Sequence, residues 1–117
     1  MTQPYVTQLK ALIERVDPTW PPNATIEVKH FFGGAAAFVE GRIFMSLTKV
    51  GLALKLPQRV RLKLFESGNA SELRYFSKSP VKKQYALMSD QYVHEAKPAK
   101  LWIETSAAYV VTLEEQP

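Results

Sequence analysis

Apolar residues recur along the chain first at helical spacing, then in alternation, and at the end at helical spacing again. Tyr5, Leu9, Leu12, Ile13 and Val16 fall on one stripe, with Gln8, Lys10, Glu14 and Arg15 opposite, which predicts a helix over residues 4–16. Pro4 suits its first turn, where a missing N–H costs nothing. Asp17-Pro18 ends it, because the residue before a proline is pushed out of the α region. Trp20-Pro21-Pro22-Asn23 reads as a stiff connector, with Trp20 packing back on the domain as a lid.

Residues 25–32 alternate: Ile26, Val28, His30 and Phe32 share one face, and Glu27, Lys29 and Phe31 the other. Gly33-Gly34 interrupts the pattern. Glycine inside a strand marks a bulge or bend, so the pair reads as a structural hinge that lets one long strand curl across a sheet. A phosphate-cradling loop would need a Lys-Ser/Thr step and a following helix, and neither is there. Glu40-Gly41 predicts a tight hairpin turn. Ile43, Met45 and Leu47 then share one strand face, and after a turn at residues 48–51 so do Leu52, Leu54 and Leu56. The face opposite the helices would carry Phe31, Ala35, Ala37 or Phe44, depending on register, an apolar set that if wet would mark a partner surface.

Pro57 opens a second helix reaching about residue 66, with Val60, Leu64 and Phe65 inward and Leu62 on neither side cleanly. Gly68 stands where a helix-ending glycine belongs. Residues 69–71 read as a loop, 73–76 as a short strand, 77–83 as a basic loop and 84–88 as a fifth strand. Ser89-Asp90 reads as the cap of a short turn through Tyr92. The last helix is predicted from about Pro98 to Glu114, on the stripe Leu101, Trp102, Thr105, Ala108, Tyr109 and Leu113. The order is helix, three-strand meander, helix, two strands, helix. That is an α+β class with a two-layer α-β(3)-α-β(2)-α architecture, helices packed on a curled antiparallel sheet.

Composition narrows the function classes. The chain has 117 residues, 46% of them hydrophobic and 22% charged, which predicts one domain, 1–117, with a core of its own. There is no cysteine, so disulfides, thiol nucleophiles and cysteine metal sites are excluded, in keeping with a reducing cytoplasm. Met1-Thr2-Gln3-Pro4-Tyr5 shows no signal-peptide pattern, and no apolar run approaches the roughly 20 residues of a membrane span. The expectation is a cytoplasmic protein with no membrane attachment. A net charge of +4 mildly favours acidic partners.

Candidate chemistry is sparse. His30, in phase with Ile26 and Val28, reads as a partly buried, hydrogen-bonded side chain, and His94 beside Glu95 as a surface pair. Neither has a second ligand at metal spacing. No serine stands in a nucleophile elbow, and Ser106, mid-helix, reads as packed or bonded to its own backbone. Carboxylates are scattered singly apart from Glu114-Glu115, so no pair can split its pKa values for acid–base work. No catalytic residue, metal or cofactor is expected. Basic residues form two groups: Arg59, Arg61 and Lys63 on the second helix, and Lys78, Lys82 and Lys83 in the loop before the fifth strand. Alternate spacing spreads the first group around its helix. A solvated basic surface is the plain reading; contact with nucleic-acid phosphates or an acidic partner is the functional one. Tyr75, Phe76 and Tyr85 flank the second group and read as strand aromatics or stacking platforms.

The run Phe32-Gly33-Gly34-Ala35-Ala36-Ala37-Phe38-Val39-Glu40-Gly41-Arg42-Ile43-Phe44 resembles the signature of the TfoX/Sxy N-terminal domain family. Gly51-Leu52-Ala53-Leu54-Lys55-Leu56 resembles a later strand of that family, and Arg59 stands where its second helix often has arginine. Residues 65–76 are similar to its Gly-x-x-x-Phe region. Lys82-Lys83-Gln84-Tyr85-Ala86-Leu87-Met88 resembles its fifth strand, and Leu101-Trp102-Ile103 with Ser106 its closing helix. The family usually has Met where this chain has Phe31, and the Gly68 to Tyr75 spacing is looser here.

The resemblance implies the α-β(3)-α-β(2)-α domain and a link to regulators of DNA uptake competence that act with a transcription activator. It carries over no site residue. Competence-type members have a second, C-terminal domain, which is not expected in this chain. The leading expectation is a non-enzymatic regulatory module that holds a protein of the transcription machinery; a homodimer stays open. The alternative is direct nucleic-acid binding through Arg59, Arg61, Lys63, Lys78, Lys82 and Lys83. A third reading, an enzyme or ligand binder around His30 and Gly33-Gly34, requires a pocket there.

Overall fold

Leu9, Leu12 and Val16 are buried on one side of helix α1 (Pro4–Val16), as the apolar stripe requires. In this computed structural model, which describes residues 4–31, 33–76, 78–90 and 96–113, that stripe faces a sheet. The strands are β1 (Ile26–Phe31), β2 (Gly34–Val39), β3 (Arg42–Thr48), β4 (Gly51–Lys55), β5 (Ala70–Leu73) and β6 (Lys82–Met88). Helix α2 (Gln58–Glu66) lies between β4 and β5, and α3 (Ala96–Thr112) follows β6. All pairings are antiparallel, in the order β1-β2-β3-β4-β6-β5.

The α+β architecture is as expected, with one strand more in the meander. Gly33-Gly34 is a reversal, not a bend: Ile26 pairs with Val39, and the ladder runs without interruption to Phe31 opposite Gly34. Gly33 supplies φ +78° in this turn, a left-handed conformation that glycine adopts without a steric penalty. Gly34 has a different constraint. A Cβ there would lie 2.5 Å from the Leu47 carbonyl oxygen and 2.8 Å from Thr48 Cγ2, so β2 and β3 approach more closely than a side chain allows. The hinge reading at these two residues gives way to a hairpin turn followed by a tight strand contact.

One core joins the three helices of the described residues to one sheet face. Leu9, Leu12 and Val16 of α1, Leu64 of α2, and Ala99, Ile103, Ala107 and Val110 of α3 meet Leu52, Leu54 and Leu56. Burying a leucine side chain is worth about 1.5–3 kcal/mol. Ala35, Ala37 and Phe44 also lie in this core, whereas Phe31 is on the far face. The register of β2 and β3 shifts at Ala37/Phe38, where Ala37 opposes Met45 and Phe38 opposes Ile43. Phe44 is the extra residue of this bulge and joins Met45 in the core. Trp20 packs over it as a lid, edge to face at 5.8 Å.

The phase of α3 differs from expectation. Its buried residues are Ala99, Ile103, Ser106, Ala107 and Val110, while Leu101 is 54% exposed; Trp102 and Tyr109 pack only at the margin. Three small residues on the buried side let the helix lie close on the sheet, so volume misidentifies its face. Ser106 does not bond its own backbone. Its hydroxyl lies 2.9 Å from the Phe44 carbonyl and 2.7 Å from that of Lys55, one donor for two strand acceptors. Arg42 donates to the carbonyls of Val110 and Leu113, placing a cation at the negative end of α3.

The strand after α2 comes earlier than expected. Asn69 N–H donates to Leu64 O at 2.9 Å beyond the end of α2, and β5 begins at Ala70 with Ala70 and Leu73 buried. Tyr75 and Phe76 leave the sheet. Ser79 N–H and Oγ both donate to Phe76 O, and Phe76 N–H donates back to Ser79 Oγ, closing a turn that overrides the strand tendency of the aromatic pair. Lys82 and Lys83 stand in β6, not in the loop. His30 is exposed, not partly buried, because β1 is an edge strand that α1 covers only in part. The expected turn through Tyr92, the His94-Glu95 pair, the face of Phe32 and the Glu114-Glu115 pair lie outside the described residues.

Candidate binding clefts

Two turns of the meander bring backbone and side chains to the mouth of a cleft of about 630 Å³. Gly33 comes from the β1–β2 turn, and Thr48 and Lys49 from the β3–β4 turn. The turn after β5 supplies Tyr75, Phe76 and Ser79, with Lys82 at the start of β6 and Tyr5 at the start of α1. Tyr75 is held from two directions: its hydroxyl shares a 3.1 Å hydrogen bond with Ser46 Oγ, and its ring meets Phe31 edge to face at 6.2 Å. Ser46 is itself buried, so that bond satisfies a polar group in the sheet. Phe76 is 66% exposed, with Lys49 Nζ 5.6 Å from its ring centroid. Arg74 donates to Ser79 O at 2.9 Å and braces the same turn.

A second groove, of about 470 Å³, runs between α2 and β6. Phe65 and Tyr85 supply its aromatic surface, and Arg61, Lys82 and Lys83 its cations, with Glu72 from β5 also in the lining. Arg61 is anchored by a 3.0 Å bond from Nε to Leu56 O. Of the six basic residues singled out in the sequence, these three share one groove. Arg59 and Lys63 stand exposed elsewhere on α2, as alternate spacing on a helix requires, and Lys78 is exposed in the turn after β5. Lys82 lines both clefts.

Two groups are electrostatically perturbed near the sheet end. Burial, and secondarily the nearby Tyr75, push the Tyr85 phenol from 10.0 up to about 12. Burial, and then the charge of Arg42, lower Lys55 below its ordinary 10.5. Tyr85 and Lys55 are cross-strand partners. Because the folded state keeps the Tyr85 proton more tightly than the unfolded chain, its contribution to stability is intact below pH 10.0 and is lost as the pH climbs toward about 12. Tyr85→Phe is therefore expected to flatten the alkaline decline in stability over that window. Denaturation midpoints falling with equal slope in both proteins would refute the assignment.

Gly33 does stand at a pocket, as the ligand-binding reading requires, but His30 is not among its described lining residues. The phosphate-loop geometry is excluded, since the glycines join two strands. Among the described residues no three His, Asp or Glu side chains gather as a metal site, and no helix is long and apolar enough to cross a membrane. Sequence reasoning missed Tyr5 and Lys49. Each is one ordinary residue of a helix start or a turn, and only the packing of distant elements brings them to one cleft with Tyr75.

The family model of the TfoX N-terminal domain matches residues 21–109. No curated protein matches the chain.

Proposed function

The chain belongs to the TfoX N-terminal domain family, and from that premise we propose that it is a non-enzymatic regulatory module that acts in the cytoplasm by holding a protein of the transcription machinery. At the family level this is a competence-related regulatory domain. One observation supports a particular contact surface: Arg61, Lys82 and Lys83 converge around Phe65 and Tyr85 in the groove between α2 and β6. Arginine and aromatic side chains carry a disproportionate share of interface energy, and the lysines select an acidic partner.

Affinity capture with mass spectrometry, using the chain and its Lys83→Glu variant, tests this reading. The expected result is capture of a transcription protein, weakened by about tenfold or more in the variant, since charge reversal puts repulsion where attraction was. Failure to retain any such protein in any growth state would defeat the proposal.

A second reading, direct nucleic-acid binding, draws on the same groove, where a base could stack on an aromatic ring while the lysines meet phosphates. It requires affinity that falls steeply with salt as counterions are released. A duplex and a single-strand titration at low and high salt decide it; no binding at low salt rejects it.

A further inference from the structure

The cleft beside Gly33 is separate in character from the groove between α2 and β6, and we propose that it binds a small aromatic anion: a flat ring carrying one carboxylate or phosphate group. Its volume, about 630 Å³, lies within the range of small-molecule sites, roughly 300–1,000 Å³. Its wall is preformed. Tyr75 is fixed by Ser46 and Phe31, and the Phe76 backbone is clamped by Ser79 through reciprocal hydrogen bonds. A wall held this way loses little freedom when a ligand arrives.

The chemistry of the lining selects the ligand. Phe76 leaves two thirds of its surface in water, and a ring laid against it would remove that exposure. Lys49 and Lys82 come from different elements, and no carboxylate accompanies them among the described lining residues. In the groove between α2 and β6, by contrast, Glu72 offsets the cations. Gly33 adds no bulk: no atom lies within 4 Å of where its Cβ would stand, so this side of the mouth is open. Aromatic walls with two ammonium groups and no carboxylate in the described lining favour a planar body and a negative charge over either alone. This inference does not rest on the module reading: the two sites share only Lys82, and the ligand is of another class.

Titration calorimetry with naphthalene-2-carboxylate and with adenosine 5′-monophosphate, each beside its neutral counterpart (2-naphthamide and adenosine), tests it on the full chain. At least one anion is expected to bind with a Kd of about 1 mM or tighter, and its neutral counterpart at least about tenfold more weakly. Binding of the carboxylate alone or of the phosphate alone supports the site and names the anion it prefers. Phe76→Ala should weaken the anion by about tenfold through lost stacking, and Lys49→Ala should erase much of the preference over the neutral compound. Both residues are on the surface, so unchanged thermal melts are expected to accompany these losses. No heat from either anion, equal binding of charged and neutral compounds, or full affinity in Phe76→Ala would each overturn the proposal. None of these outcomes touches Lys83 or partner capture, so the two readings fail separately.

Discussion

Gly34→Ala is expected to be among the most damaging single-methyl changes in this protein, lowering stability by about 3 kcal/mol, the upper part of the range for over-packing. The added Cβ would meet the Leu47 carbonyl oxygen at 2.5 Å and the Thr48 Cα at 3.0 Å, and backbone atoms of a paired strand cannot swing aside. Relief requires β2 and β3 to separate where Ala35 pairs with Leu47, and both residues belong to or pack on the core. Gly33→Ala is the control. It has open space, and its cost comes only from holding alanine at φ +78°, about 1–2 kcal/mol. Urea denaturation of the two variants should therefore rank them, with Gly34→Ala clearly lower. Equal midpoints, or a Gly34→Ala protein as stable as the parent, would show that the strands are not so closely apposed.

Two phenylalanines give the second large effect. Phe44→Ala should cost about 3–5 kcal/mol, because it empties a fully buried site at the bulge of β3 and removes the ring on which Trp20 rests. Against a typical domain stability of about 5–15 kcal/mol, that leaves a marginal fold. Phe76→Ala, the same chemical change at a residue 66% exposed, should stay within about 0.5 kcal/mol of the parent. A chemical denaturation series reads both, with the midpoint moving and the slope held constant for a simple loss of stability. Comparable losses at the two positions would mean that Phe44 is not the interior residue and that the β2–β3 register is misplaced.

Alternation in the strands does not by itself assign Phe44 to the core. With Ile43, Met45 and Leu47 turned one way, strict pleating puts Phe44 on the opposite face. The bulge at Ala37/Phe38 breaks that rule, and nothing local announces it: Ala37, Phe38 and Met45 are ordinary strand residues. Gly33-Gly34 is similar. Two glycines in an alternating segment permit both a bend and a reversal, and the choice depends on whether β1 finds a free edge on β2.

The site was less legible than the fold. Arg61, Lys82 and Lys83 were visible as cations, yet only the β6 pairing carries the two lysines to α2 and leaves Arg59 and Lys63 outside the groove. The aromatic cleft drew on residues 5, 49, 75 and 82, which share no motif because four separate elements meet there.

By itself the sequence determined what depends on neighbours a few positions away: the span and face of α1, the Glu40-Gly41 turn, the glycine after α2, the α+β class and the family resemblance. Periodicity and backbone freedom are local properties, so local order is enough to read them. Tertiary structure alone decided the reversal at Gly33, the bulge that buries Phe44, the small-residue face of α3 and both clefts. Each of these depends on which strand lies beside which and how closely. That is settled by the packing of distant segments, down to the close approach at Gly34 and the Ser106 hydroxyl shared between two strands.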